Sequence, residues 1–187
     1  MRIIGGKYKG KSIFFQKSSN TRPLKDSVKE NIFNIILHSK LINVEINNSN
    51  ILDLYSGVGS FGLEALSRGA KSVTFIEKNK SAISILKKNI QCLAVQEKTK
   101  LFESDVNKVI EDERTGKFDF LFLDPPFADD TFIDIIKLLK RKKKFNKKNI
   151  VIVHREKRTV ENFEKILPIL LIKTYGRSKI LFGSFST

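Results

Sequence analysis

From residue 50 onward the chain alternates short apolar runs with amphipathic stretches, a pattern that predicts a parallel sheet covered by helices on both faces. The apolar runs place strands near 51–55 (ILDLY), 73–76 (VTFI), 99–103 (TKLFE), 118–123 (FDFLFL) and 149–153 (NIVIV). Between them, the stretch 79–93 carries Ile83, Leu86, Ile90 and Leu93 at helical spacing. The helix before it should stop at Arg68-Gly69, because Gly69 suits a left-handed C-terminal cap. A further helix is expected near 159–167. Beyond it, LLIKTY and KILFGSF flank Gly176-Arg177-Ser178 and predict a terminal antiparallel hairpin.

The first 50 residues have another character. A Gly- and Lys-rich extended segment leads into a helix, with Ser27 and Glu30 spaced as a capping box and Val28, Ile32, Ile35 and Ile36 forming its apolar face. The polar stretch NVEINNSN follows. The expected organisation is a basic N-terminal extension and helix, residues 1–49, packed on a main domain, residues 50–187. At 187 residues with 41% hydrophobic content, the chain has material for a single core.

No apolar run approaches the roughly 18 residues of a membrane span, and MRIIGGKYKGK lacks the apolar region of a secretory signal. A soluble, cytoplasmic and monomeric protein is expected. The lone Cys92 falls in a helical pattern and reads as a packed thiol; no metal site is expected, and His38 and His154 are given no role. A net charge of +15 points to a polyanionic partner, since neutralising phosphates releases condensed counterions. Lysine makes up 27 of the 35 cations, amid plentiful Asn, Ile and Phe, so AT-rich coding accounts for part of the excess. The distribution is more telling: Arg2, Lys7, Lys9, Lys11, Lys17, Arg22 and Lys25 all precede the first acid, Asp26.

Two motifs carry chemistry. Asp53-Leu-Tyr-Ser-Gly57-Val-Gly59-Ser-Phe-Gly62 is a literal G-x-G-x-x-G between a strand and a helix, which alone suggests a dinucleotide. Asp53, four residues before the first glycine, has the wrong sign for a pyrophosphate and suits a cationic ligand such as S-adenosylmethionine. Glu77, ending the second strand, can accept from both ribose hydroxyls, and this fits NAD equally. Asp105, after the third strand, either meets an adenine amino group or caps the helix that begins there. Tyr55, Ser56, Lys78 and Val106 flank these positions and complete the candidate cofactor set.

The second motif is Asp124-Pro125-Pro126-Phe127, at the end of a strand expected beside the first. The two prolines fix φ and remove two N–H donors, so the corner presents a carboxylate and carbonyls on a stiff backbone. Such a corner is a receptor for an amino group. Gripping the hydrogens of a nucleobase amine would turn its lone pair toward an activated methyl group and stabilise the charge that develops. Phe127 would stack on the flipped base, a contact worth about 1–3 kcal/mol. The simpler alternative is a strand-ending turn with Phe127 in the core. Cytosine-C5 methylation would need a thiolate, and Cys92 is not at a strand end.

RIIGGKYKGK at 2–11, TRPLKDSVKENIFNIIL at 21–37, DLYSGVGSFGLEALSRGA at 53–70, FIEKN at 75–79 and DPPF at 124–127 together resemble the RsmD-type class I methyltransferases. That family methylates the exocyclic N2 of a guanine in bacterial 16S ribosomal RNA. The resemblance implies a Rossmann-like fold with a seven-stranded, mostly parallel sheet and an antiparallel C-terminal strand. It implies that Asp53, Gly57, Gly59, Glu77 and Asp105 hold S-adenosylmethionine, leaving S-adenosylhomocysteine as product. Asp124, Pro125, Pro126 and Phe127 would receive the guanine, while Arg2, Lys7, Lys9, Lys11, Arg22 and Lys25 would contact RNA within a small-subunit assembly particle. Two positions depart from the family: Lys29 stands where arginine is favoured, and His154 where an acid is frequent. The cluster Lys140 to Lys148 is expected to be a solvated loop that adds general RNA affinity. Competing readings are a DNA adenine-N6 methyltransferase and a non-catalytic RNA-binding assembly factor on the same fold.

Overall fold

The structure is a computed structural model and describes residues 1–15, 24–126, 128–129, 131–160, 162–163 and 166–186. Its strands are β1 (Asn50–Leu54), β2 (Ser72–Glu77), β3 (Thr99–Glu103), β4 (Phe118–Leu123), β5 (Phe145–Glu156), β6 (Ile169–Tyr175) and β7 (Ser178–Gly183). They form one sheet in the order β3-β2-β1-β4-β5-β7-β6. The first five pair in parallel, and β7 runs antiparallel to both of its neighbours. The expected terminal hairpin is therefore β6–β7.

Helices α1 (Asp26–His38), α2 (Ser60–Ser67), α3 (Lys80–Leu93), α4 (Val106–Glu111) and α5 (Phe132–Arg141) cover the sheet. Strand side chains alternate between faces. Ile51, Phe75, Phe120, Phe122 and Ile152 enter one core, shared with α1, α2 and α3. Leu52, Leu54, Leu121, Leu123, Val151 and Val153 enter the other, shared with α4 and α5. On the first face Phe61 of α2 lies between Phe122, at 4.0 Å, and Phe33 of α1, at 5.1 Å, in a stacked column. Gly62 permits that approach, because a Cβ there would stand 2.4 Å from the Phe75 ring.

The N-terminal segment is a compact loop rather than an extended one. Arg2 bridges Ser12, and the Ile3 amide donates to the Lys11 carbonyl at 2.9 Å. The loop is clamped to α2: Glu64 accepts from the Ile4 and Gly5 amides at 2.7 and 2.8 Å, and the Lys7 amide donates to the Ser67 carbonyl at 2.7 Å. Gly6, at φ 74°, makes this contact possible, since a Cβ would fall 1.9 Å from the Ser67 oxygen. Lys29 reaches the same buried point from α1, donating to the Arg2 carbonyl at 2.7 Å and standing 3.6 Å from Glu64. Its departure from the family pattern is therefore met inside the protein, where Nζ also reaches Ser60 Oγ at 3.3 Å on the cavity wall.

Four expectations are corrected. Helix α1 starts at Asp26, whose charge favours the first turn; Ser27 lies inside the helix, and Lys25 is an N-cap with no side-chain bond, so the capping box does not form. The stretch near 159–167 makes a single turn at its described residues, with Leu167 donating to Phe163 at 2.9 Å. None of the described residues of that stretch is helical, and residues 161, 164 and 165 lie outside the described ones. Cys92 is exposed on α3. Lys140 to Lys148 is not a loop: it spans the end of α5, a turn and the start of β5, and Lys144 is buried with its Nζ on the Asp112 carbonyl at 2.6 Å.

Glu64 and Lys29 are both fully buried, and Arg68 adds a 2.8 Å bond to the same carboxylate. Removing one partner of a buried pair leaves the other charge uncompensated. Glu64→Gln should therefore cost about 3–5 kcal/mol of unfolding free energy, read as a lower urea midpoint at unchanged slope.

Candidate active site

The crossovers after β1 and β4 leave toward opposite faces of the sheet, which opens a crevice beyond the carboxyl ends of these adjacent strands. A cavity of about 820 Å³ occupies it. Asp53, Tyr55, Ser56, Gly57, Glu77, Lys78, Asp105, Val106, Asp124, Pro125 and Pro126 all line this one space. Distant stretches of sequence thus converge on one cavity. Gly59 does not line it; at φ 84° it starts α2, and a Cβ there would press on Leu86 at 2.4 Å. At Gly57, φ 53°, a Cβ would meet nothing, so its backbone faces open space.

Asp53 is 1% exposed and accepts from the Gly62 amide at 2.9 Å. Burial holds its carboxyl well above the ordinary carboxylate range; the Gly62 bond opposes this, and the charges of Asp124 and Glu77 add to it. A desolvated acid facing a cavity is matched to a cation. Glu77 fixes the loop around it, accepting from the Gly57 amide at 2.7 Å and the Asn79 amide at 2.8 Å. Asp105 does cap α4, through the Asn107 amide at 3.0 Å, and it also pairs with Lys78 at 3.3 Å. Local bonds to Asn107 and Lys78 hold its carboxyl below the usual range despite some burial.

The backbone ladder ends where Asp124 begins, its amide 3.5 Å from the Leu54 carbonyl. One carboxylate oxygen, Oδ1, lies 2.8 Å from His154 Nδ1. The Pro126 carbonyl accepts from the Asp129 amide at 2.9 Å and from Arg155 Nη1 at 3.1 Å. Neither His154 nor Arg155 was assigned by the sequence. The usable signal was topological: Leu123 pairs with Val153, so the next residues, Asp124 and His154, fall side by side on one face. Met1, Phe15 and Leu24 also wall the cavity, which brings the N-terminal segment to the site. Arg2, Lys7, Lys9, Lys11 and Lys25 are exposed and lie outside the cavity lining. Phe127, Lys17 and Arg22 fall outside the described residues.

The ribosomal RNA small subunit methyltransferase D of Haemophilus influenzae is 37% identical over 141 residues, covering 74% of this chain and 70% of that protein. Residues 1–184 match the family model described as conserved hypothetical protein 95. The chain belongs to the small subunit methyltransferase D family. Among solved structures, the "putative methyltransferase yhhF" of Escherichia coli superposes with a TM-score of 0.85 at 24% identity, covering 100% of this chain and 98% of its own. That likeness concerns the fold, which is of the class I methyltransferase type. A more remote neighbour, a "putative methyltransferase complexed with SAH", has a TM-score of 0.61 at 16% identity and covers 79% of this chain and 48% of its own. In this family fold the glycine loop after β1 and the Asp-Pro-Pro corner after β4 face each other across one crevice.

The raised Asp53 pKa has a thermodynamic sign. Between the ordinary and the raised value the folded protein keeps a proton that the unfolded chain has released, so this group lowers stability as pH rises. Asp53→Asn should then become progressively more stable than the parent as pH climbs from about 4, with the two converging below it. Paired thermal melts across pH read the difference.

Proposed function

We propose that the protein transfers a methyl group from S-adenosylmethionine to the exocyclic N2 of a guanine in 16S ribosomal RNA, within a small-subunit assembly particle. The observation that carries this reading is the pair of carboxylates in one cavity: Asp53, desolvated and suited to a cation, and Asp124, on a donor-free corner suited to an amine. The small subunit methyltransferase D relatives support the RNA substrate, and the SAH-bound neighbour supports the methyl donor.

S-adenosylmethionine supplies an electrophilic methyl on a sulfonium and a positively charged ammonium. Asp53 and the Gly57 backbone would bind its amino-acid end, while Glu77, whose Oε1 already accepts from the Lys78 and Asn79 amides, would take a ribose hydroxyl on Oε2. Asp105, which lines the cavity beside its capping bond, would accept from the adenine amine.

At the other side of the cavity, Asp124 accepts one hydrogen of the guanine amine. The Pro126 carbonyl is engaged by Asp129 and Arg155, so the Pro125 carbonyl is assigned the second hydrogen. Two acceptors draw the nitrogen lone pair out of the ring plane and offset the positive charge that grows there. The N–CH3 bond would form as the S–CH3 bond breaks, S-adenosylhomocysteine would leave, and the surplus amine proton would pass to water, so no general base of raised pKa is needed. Phe127 would stack on the flipped base. The exposed Lys7, Lys9, Lys11, Arg2 and Lys25, with Arg22, would hold RNA phosphates.

Incubation with labelled methyl donor and undermethylated small subunits should label one guanine, identified by mass spectrometry as the N2-methyl base. Label in duplex DNA and none in ribosomal RNA would replace this reading by adenine-N6 methylation. Asp124→Ala should lower transfer by about 100-fold or more while RNA affinity persists; unchanged methylation would remove Asp124 from the chemistry. Changing Lys7, Lys9 and Lys11 together to Ala should flatten the slope of log affinity against log salt by about 0.7–0.9 for each phosphate that is no longer neutralised. An unchanged slope would place the RNA-binding surface elsewhere.

A further inference from the structure

We infer that His154 and Arg155, adjacent on β5, are positioning residues that set the two halves of the amine receptor from opposite faces of the sheet. The inference rests on the proposed transfer to an amine. His154 lies on the face of Asp124, and Arg155 projects to the other face, where its guanidinium stacks 4.3 Å from the Phe132 ring centroid. Both are nearly fully buried, at 3% and 1% exposure.

An imidazole is costly to bury unless its nitrogens are paired. Both are: Nδ1 lies 2.8 Å from Asp124 Oδ1, and Nε2 lies 3.0 Å from the hydroxyl of Ser178, itself buried on β7. A serine hydroxyl can donate or accept, whereas an ionised carboxylate only accepts. Asp124 therefore dictates the proton position, and the ring carries its hydrogen on Nδ1. Carboxylate rotation about its last torsion is otherwise broad and nearly two-fold. With Oδ1 anchored, that rotation is stopped and Oδ2 remains for the substrate amine.

Arg155 acts on the other half. Nη1 donates to the Pro126 carbonyl at 3.1 Å, reinforcing the Asp129 amide, and so fixes Pro126, whose ring nitrogen completes the peptide that carries the Pro125 carbonyl. Planarity matters here, because a lysine could not stack on Phe132 and reach the carbonyl as one rigid unit. Misplacing a reacting group by about 1 Å can cost 10²-fold in rate, which is the scale of effect that such anchors prevent.

Two measurements test this. The chain has two histidines, and His38 is exposed, so ring nitrogen NMR of the wild-type protein can separate them. His154 should carry a proton on Nδ1; a ring protonated only on Nε2 would overturn the inference without any variant. In kinetics on undermethylated small subunits, His154→Ala should lower kcat about 10–100-fold with donor affinity, by direct binding, within about two-fold. His154→Asn, whose side-chain amide donates from the place of Nδ1, should recover most of the loss. Arg155→Lys, which keeps the charge, should lower kcat about ten-fold. Wild-type turnover in His154→Ala, or an Asn variant no better than Ala, would refute the role of His154; wild-type turnover in Arg155→Lys would refute that of Arg155. No transfer by the wild-type protein is a separate result, which removes the proposed function and the inference together.

Discussion

Parallel pairing of β1 with β4 is the constraint from which the site follows. The register Leu54 to Leu123 ends both strands at one level, and their side chains alternate in step. Asp53 and Asp124 therefore emerge on the same face, at the place in the sheet where the flanking crossovers part. The next strand, β5, pairs with β4 one residue short of Asp124 and carries its alternation on to His154 and Arg155. Sheet geometry thus arranges the acids, the imidazole and the guanidinium.

A second polar centre organises the other end of the molecule. Glu64 sits in the first core and gathers the Ile4 and Gly5 amides, Lys29 and Arg68. Desolvating a carboxylate and an ammonium together costs several kcal/mol, so such a centre is better understood as a device for specificity than as a source of net stability. Its effect is to dock a lysine-rich loop, which repels itself, at one defined position. Tyr8 helps by lying between Lys7 and Lys11, whose Nζ atoms are 5.6 and 5.3 Å from its ring centroid.

Much of the fold was legible because buried parallel strands read as apolar runs and their helices as periodic stretches. β1 to β4 and the C-terminal hairpin fall where these signals place them. The misses lie where a local pattern did not decide the structure. Ser27 and Glu30 have capping-box spacing, yet the helix begins before them. Phe163, Ile166 and Leu167 have helical spacing, yet none of the described residues there is helical. Lys144 looks like one more surface lysine, and only the fold brings it to the Asp112 carbonyl. In the site, acids and glycines announced themselves by motif. His154 did not, because its role depends on strand order, which a motif does not contain.

Helix α2 joins these two ends. Its first residue, Ser60, follows the glycine loop that faces the cavity, and its last, Ser67, receives the basic N-terminal loop. At 1.5 Å per residue its eight residues measure about 12 Å, and packing against the sheet through Gly62 allows it little bending. The helix is thus a ruler between the lysine-rich loop and the cavity. Under the proposed function, selection of one base in a long folded nucleic acid would become partly a question of distance from a gripped phosphate to a reachable amine.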